Sequence, residues 1–351
     1  MPEPCVSPGP LVAAPWREQE AATTMIEGDR ALARKLILDV DTGTDDAVAI
    51  MLAALHPGLE LVGCTTVNGN VPVRYTTDNT LRVLDHIGRS DIPVFQGCAR
   101  PLVRLDFPVP RSVNDLAGKI HGTTLPVPPS KRQKQDTGGV EFLIETYRAA
   151  TEEITLVAVA PLTNIAAALA LDPKFAERVP EIVVMGGGHE IGNVTPAAEF
   201  NIWGDPEAAA MVFAAGFRKL TLVPLDATHR ALISKAHCDQ LAALGTPAGQ
   251  AAAAFIGHRI VVHDDIQKMP TLGTTPVHDA LAVGSVIDRT LITTRRLHVA
   301  VETHGTLTVG RTVIDTHFRS GQEPNCDVAF DADAARFVAL LLSTFAKSVV
   351  G

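Results

Sequence analysis

Residues 36–55 read LILDVDTGTDDAVAIMLAAL. The first five are apolar and β-prone apart from Asp39, so Leu36–Val40 is expected as a short buried strand. Gly43 permits a tight turn. Asp45 to Leu55 then reads as a helix that is apolar on nearly every side, as a helix packed between a sheet and other helices must be. A strand without polar alternation that runs straight into a buried helix is the opening of a parallel α/β sheet.

The same alternation continues outward. Strands are expected at Leu59–Val67, Ile92–Phe95, Ile154–Val159, Glu181–Met185 and Leu220–Leu225. Helices are expected at Arg74–Ile87, Leu162–Leu171 and Pro206–Ala215. Beyond Ala227 the chain reads as mainly helical, then as strands at Leu297–Val301 and Leu307–Val313 and a last amphipathic helix over Ala332–Phe345. The fold class is α/β, with a mostly parallel, Rossmann-related central sheet flanked by helices. Residues 1–34 are rich in Pro, Ala and Glu and lack periodicity; they read as a flexible arm, with Met25 as an alternative start, ahead of a single domain over 35–351. Val103–Gly139 breaks the rhythm with several prolines and the basic run Lys131, Arg132, Lys134. It reads as a solvated connection, or as a lid over a site.

The bulk numbers exclude some classes. A net charge of -9 argues against a nucleic-acid surface. No apolar run approaches the ~20 residues that span a bilayer, so no membrane partner is expected. The five cysteines are widely spaced and odd in number, which fits a reducing, cytoplasmic setting rather than a disulfide framework or a structural zinc site.

In parallel sheets ligands sit beyond the carboxyl ends of the strands. There the chain places Asp39, Asp41, Asp45 and Asp46. One such Asp needs only a helix cap to explain it. Four raise one another's pKa unless a cation or hydrogen-bond donors compensate, and a hard divalent ion with oxygen ligands is the simplest compensator. Two chemistries use such a segment: phosphoryl transfer of the D-x-D type, and glycosidic hydrolysis with a carboxylate base. The first also wants a late G-D-x-x-x-D, and Gly204-Asp205-Pro206-Glu207-Ala208-Ala209 lacks the second Asp. Asn193, Glu199 and Asn201 crowd a loop after Met185, with amide and carboxylate groups suited to sugar hydroxyls. Asp279 is a candidate to complete a cation site with Asp41 and Asp46, which would bring His278 near a leaving group. His121 opens the candidate lid.

Six segments in order resemble the inosine–uridine-preferring nucleoside hydrolases. They are Asp39–Ala47, Val67–Asn70, Pro161–Ile165, Met185–Gly188, Ala198–Asn201 with Asp205–Ala208, and Val277–Asp279. The resemblance covers Lys35 to Lys347. It implies hydrolysis of the ribosyl–base bond, with one Ca2+ held by Asp41, Asp46, Asp279 and the Val159 carbonyl. Asp41 would be the base on a calcium-bound water, and His278 would assist the departing base. Asp45, Asn70, Asn193, Glu199 and Asn201 would hold the ribose, His121 and Phe200 would complete the substrate contacts, and Asp39 would orient the metal site. A homodimer or homotetramer is implied. Three positions depart from the family pattern: Thr42 replaces a usual Pro, Thr123-Thr124-Leu125-Pro126 replaces a Gly-rich loop, and 258–270 carries no aromatic residue. The last two fall on the base side of the pocket. The alternatives are the D-x-D phosphatase, magnesium-dependent, and a non-catalytic nucleoside-binding protein.

Overall fold

Strand β1 (Arg34–Val40) is the centre from which the molecule is built. Its neighbours are β2 (Leu59–Thr66) on one side and β4 (Ile154–Ala158) on the other, both parallel to it. The computed structural model describes residues 33–109 and 120–348. Within it, β3 (Val94–Gln96), β5 (Glu181–Met185), β6 (Leu220–Val223), β9 (Ile292–Leu297) and β12 (Cys326–Ala332) extend the sheet to eight strands in the order β3-β2-β1-β4-β5-β6-β12-β9. All neighbours are parallel except β12 and β9. The expected α/β architecture is therefore the observed one.

Side chains alternate across a strand, so β1 feeds two cores. Leu36, Leu38 and Val40 join the core under α1 (Thr44–Leu55), α2 (Val73–His86), α7 (Pro247–Asp265), α8 (His278–Ile287) and α9 (Ala334–Phe345). Ile37 joins the opposite core, under α3 (Gly139–Ala149), α4 (Thr163–Leu171) and α6 (Pro206–Ala214). Helix α1 is buried from Thr44 to Ala54, which its uniformly apolar sequence requires. Two small antiparallel pairs lie outside the main sheet: β7 (Leu232–Ser234) with β8 (Thr274–Pro276), and β10 (Val299–Val301) with β11 (Thr312–Ile314).

The structure corrects the C-terminal third. The expected strand Leu297–Val301 is two strands, β9 and β10, in different sheets. Residues 307–311 turn rather than extend, and β11 starts at Thr312. Gly310 sets this turn: its φ is +82°, and a Cβ there would lie 2.6 Å from the Trp203 backbone. Strand β12 was not foreseen, because Asp327 and Asp331 interrupt its apolar pattern.

Arg34, placed in the expected arm, already belongs to β1, and residues 1–32 lie outside the described ones. Of the candidate lid, residues 110–119 also lie outside them. The basic run is anchored at Arg132, whose Nε donates to Asp85 Oδ1 at 2.6 Å and whose Nη1 donates to the carbonyls of Ser90 and Ile92. On the other side Arg104 makes a two-pronged pair with Glu207 and donates to the Thr303 carbonyl.

Candidate active site

The turn between β1 and α1 is held by its own carboxylates. Asp46 Oδ1 accepts from the Asp41 amide at 3.1 Å, and Oδ2 accepts from the Gly43 amide at 2.9 Å and from Asn70 Nδ2 at 3.1 Å. Asp41 Oδ2 accepts from the Asn70 amide at 2.6 Å. Asp39 Oδ1 accepts from Thr65 Oγ1 at 2.5 Å and from Asn164 Nδ2 at 2.7 Å, while its Oδ2 has no partner. Burial pushes the Asp39 carboxyl up to about 7 against those two hydrogen bonds. Burial and then Asp45 push Asp46 up to about 7. Burial followed by the Asp46 charge raises Asp41 well above the usual carboxylate range.

The ends of β4 and β5 supply the next wall. Asn201 Nδ2 donates to the Val159 carbonyl at 3.1 Å and to the Met185 carbonyl at 3.2 Å, tying the two strand ends together. Glu199 caps α5 (Phe200–Gly204): its Oε2 accepts from Ile202 N at 3.2 Å and from Gly187 N at 2.8 Å. Burial raises its carboxyl to about 7. Asn193 Oδ1 accepts from the Phe200 amide at 2.9 Å. Phe107, Phe200 and Trp203 meet as an aromatic cluster, with Phe107 edge-on to Phe200 at 5.7 Å.

Helices α7 and α8 close the other side. Asp279 stands in the first turn of α8, and its pKa is raised well above the ordinary value by burial, then by Asp45, Asp46 and Asp41. His278 Nδ1 lies 2.8 Å from Thr228 Oγ1, and burial followed by the Arg259 charge lowers its pKa well below the usual value. His121 Nδ1 accepts from the Thr44 amide at 3.1 Å, so its ring proton sits on Nε2. Burial lowers His121 to about 4. One cavity joins these walls; Asp41, Asp45, Asn70, His121, Val159, Asn193, Glu199, Phe200, Asn201, His278 and Asp279 all line it.

The family model for inosine–uridine preferring nucleoside hydrolases matches residues 36–339. The chain belongs to this family. It is 39% identical over 310 residues to a pyrimidine-specific ribonucleoside hydrolase, RihA, of Salmonella arizonae, covering 88% of this chain and 97% of that one. It is 37% identical over 315 residues to the RihA of a Shewanella species, covering 90% and 97%. Among solved structures, a purine-preferring ribonucleoside hydrolase from Gardnerella vaginalis superposes with a TM-score of 0.81 at 33% identity, covering 89% of this chain and 98% of that one. A plant nucleoside hydrolase gives 0.80 at 31% identity, covering 90% and 99%. The chain is a hydrolase of ribonucleoside N-glycosyl bonds, and the phosphatase alternative is not favoured.

In this nucleoside hydrolase the site residues expected from the sequence lie around one cavity, except Asp39 and Asp46, which stand behind its wall. The carboxylate oxygens that converge within 4.8 Å of one another belong to Asp45, Asp46 and Asp279. Asp41 opens on the same cavity but is not in that triangle; the Asn70 amide holds its Oδ2. Three convergent buried carboxylates form a hard anionic donor set that suits a divalent cation.

The sequence reading missed Arg259 and His263 of α7, and Gln267 beyond it, all of which line the cavity. Arg259 Nη1 is 3.0 Å from Asp45 Oδ1 but off the hydrogen-bonding line, so the contact is one of charge. The signal was present in the sequence. Phe255, Ile256, Arg259, Ile260 and His263 are spaced 1, 3, 1 and 3 apart, the spacing of one helix face, and that face is the buried one.

Proposed function

We propose that the chain hydrolyses ribonucleosides with Asp41 as the base that takes a proton from the attacking water. Its position supports this: Asp41 faces the cavity, and the Asn70 amide fixes one carboxylate oxygen. Asp46 and Asp279 would hold a Ca2+ ion together with Asp41 and the Val159 carbonyl. When bound, such an ion supplies a positive anchor for sugar hydroxyls and lowers the pKa of a neighbouring water. Asp45, kept in place by Arg259, would accept from the ribose diol with Asn70 and Asn201. Glu199 and Asn193 also brace α5, so they would hold the sugar edge and the loop at once. The water attacks C1′ as the C1′–N bond lengthens and positive charge builds on the sugar. His278, and His121 through its Nε2–H, would hydrogen-bond the departing base, while Phe107, Phe200 and Trp203 offer a face for it to stack on.

The observation that carries this reading is the convergence of three buried carboxylates beside a cavity with an aromatic wall, in a member of this family. We place the enzyme in the cytoplasm, as a homodimer or homotetramer. The free state of Cys64, Cys98, Cys238 and Cys326 supports the compartment, and family resemblance supports the assembly. No described helix is long and apolar enough to cross a membrane.

The test is release of free ribose from inosine, uridine, adenosine, cytidine and nicotinamide riboside, with calcium and with a chelator. We expect turnover of at least one nucleoside, loss of it with the chelator, and a fall of roughly 10²–10⁴-fold in kcat for Asp41→Asn. Binding without turnover, or phosphate release from nucleotides with magnesium, would sink the assignment.

A further inference from the structure

Arg259 is a guanidinium in an unusual place. It is 2% exposed, yet among the described residues it pairs with one carboxylate, Asp45, and makes a weak contact to Thr44 Oγ1 at 3.4 Å. Its Nε is buried with no partner. Among the described residues that line the cavity it is the one Lys or Arg. A guanidinium carries five N–H donors, more than Asp45 and Thr44 take up, and Arg259 stands on the cavity wall, where a ligand can meet those that remain.

We propose that Arg259 is a catalytic residue that stabilises the departing nucleobase as an anion, and so directs the enzyme to bases with a ring carbonyl. The inference rests on the ribohydrolase reading. As water attacks C1′, the C1′–N bond breaks and its electron pair leaves with the base. In uracil or hypoxanthine that charge spreads over the ring onto the carbonyl oxygen. A guanidinium is a planar, permanently charged donor that meets such an oxygen well. The proton from the water passes to Asp41 and from there to solvent, and the freed base takes one up from solvent, so the products are ribose and neutral base and Asp41 is ionised again. The neighbouring imidazoles are already committed in part. His121 Nδ1 receives the Thr44 amide, His278 Nδ1 meets Thr228 Oγ1, and His263 Nδ1 lies 3.4 Å from Thr275 Oγ1. Asp45 touches the same guanidinium, so Arg259 lies where the carboxylate floor meets the helix α7 wall.

The test compares wild type with Arg259→Gln and Arg259→Lys on uridine, 5-fluorouridine and 4-nitrophenyl β-D-ribofuranoside, whose leaving groups grow more acidic in that order. Preorganised donors at developing negative charge are worth roughly 10²–10³-fold in kcat. We expect Arg259→Gln to lose about that on uridine, less on 5-fluorouridine and least on the nitrophenyl riboside, where the remaining loss is the common cost of freeing Asp45, with partial recovery in Arg259→Lys. An equal loss on all three would overturn the proposal and make Arg259 a brace for Asp45 or the fold. So would no loss on uridine. A wild-type enzyme that releases ribose from none of the ribosides would overturn the ribohydrolase reading itself.

Discussion

A methyl group at Gly69 would lie 1.9 Å from Asp41 Oδ2, so a side chain there and the present Asp41 carboxylate exclude each other. The same logic holds at Gly43, where a Cβ would meet His121 Nδ1 at 2.3 Å. Both glycines are set by close approach of functional side chains, and at neither does a left-handed backbone call for glycine. Gly69→Ala must therefore push Asp41 aside or move the Val67–Asn70 turn. A displacement of about 1 Å in a reacting group costs on the order of 10²-fold in rate. We expect Gly69→Ala to lower kcat by at least that factor and to lower the melting temperature as well, because the methyl meets Asp41 Cγ and Cβ at 2.5 and 2.6 Å. Parental kcat in the variant would show that Asp41 does not need its present position.

Asp205 shows how one residue joins several elements. Its carboxylate caps α6 through Ala208 N at 3.1 Å, accepts from Thr163 Oγ1 at the start of α4 at 2.7 Å, and accepts from the Leu102 amide at 2.6 Å. The last bond anchors the segment that carries Phe107 into the cavity. Asp205→Ala removes a cap and leaves the buried Thr163 hydroxyl and the part-buried Leu102 amide unmatched, which together cost about 2–3 kcal/mol. Denaturant unfolding should show that loss, and KM should rise because Phe107 is no longer held. An unchanged KM in a destabilised variant would separate the segment from substrate binding. Asp205 also marks how far the sequence could be read. Its local motif was legible, first as an incomplete phosphatase signature and then as a family segment, but neither reading shows a three-way tether that spans 103 residues. Strands with uniform apolar sequence, such as β4 and β5, were legible because burial on both faces leaves no other pattern. Strand β12 was not, because its partners β6 and β9 are chosen by tertiary packing and its sequence carries Asp327 and Asp331. At the site, residues in dense motifs stood out. Arg259 did not, since one charge in a long helix looks like solvated surface until the buried stripe is traced.

At the scale of the whole molecule, the buried carboxylates make stability depend on pH and on cation together. Asp39 and Asp46 are raised by burial from 3.8 to about 7, and Glu199 by burial from 4.5 to about 7. Between the ordinary values and about 7 the folded chain holds protons that the unfolded chain releases. Folded stability must therefore fall as pH rises through that window when no cation is present, and Asp41 and Asp279, whose carboxyls are also raised, extend the fall. A divalent ion acts in the opposite direction, because it binds the ionised carboxylates and only the folded chain brings them together. At about 100 times its Kd such an ion adds about 2.7 kcal/mol, which for a domain of this size is a rise of roughly 4 °C. Thermal melts with calcium and with a chelator should thus nearly coincide at about pH 5 and separate by that amount at about pH 8. The chelated sample should lose stability as pH rises, and the calcium sample should lose less. Coincident curves at the higher pH would mean that repulsion among Asp45, Asp46 and Asp279 is relieved without a cation, and the metal reading of the site would fall with it.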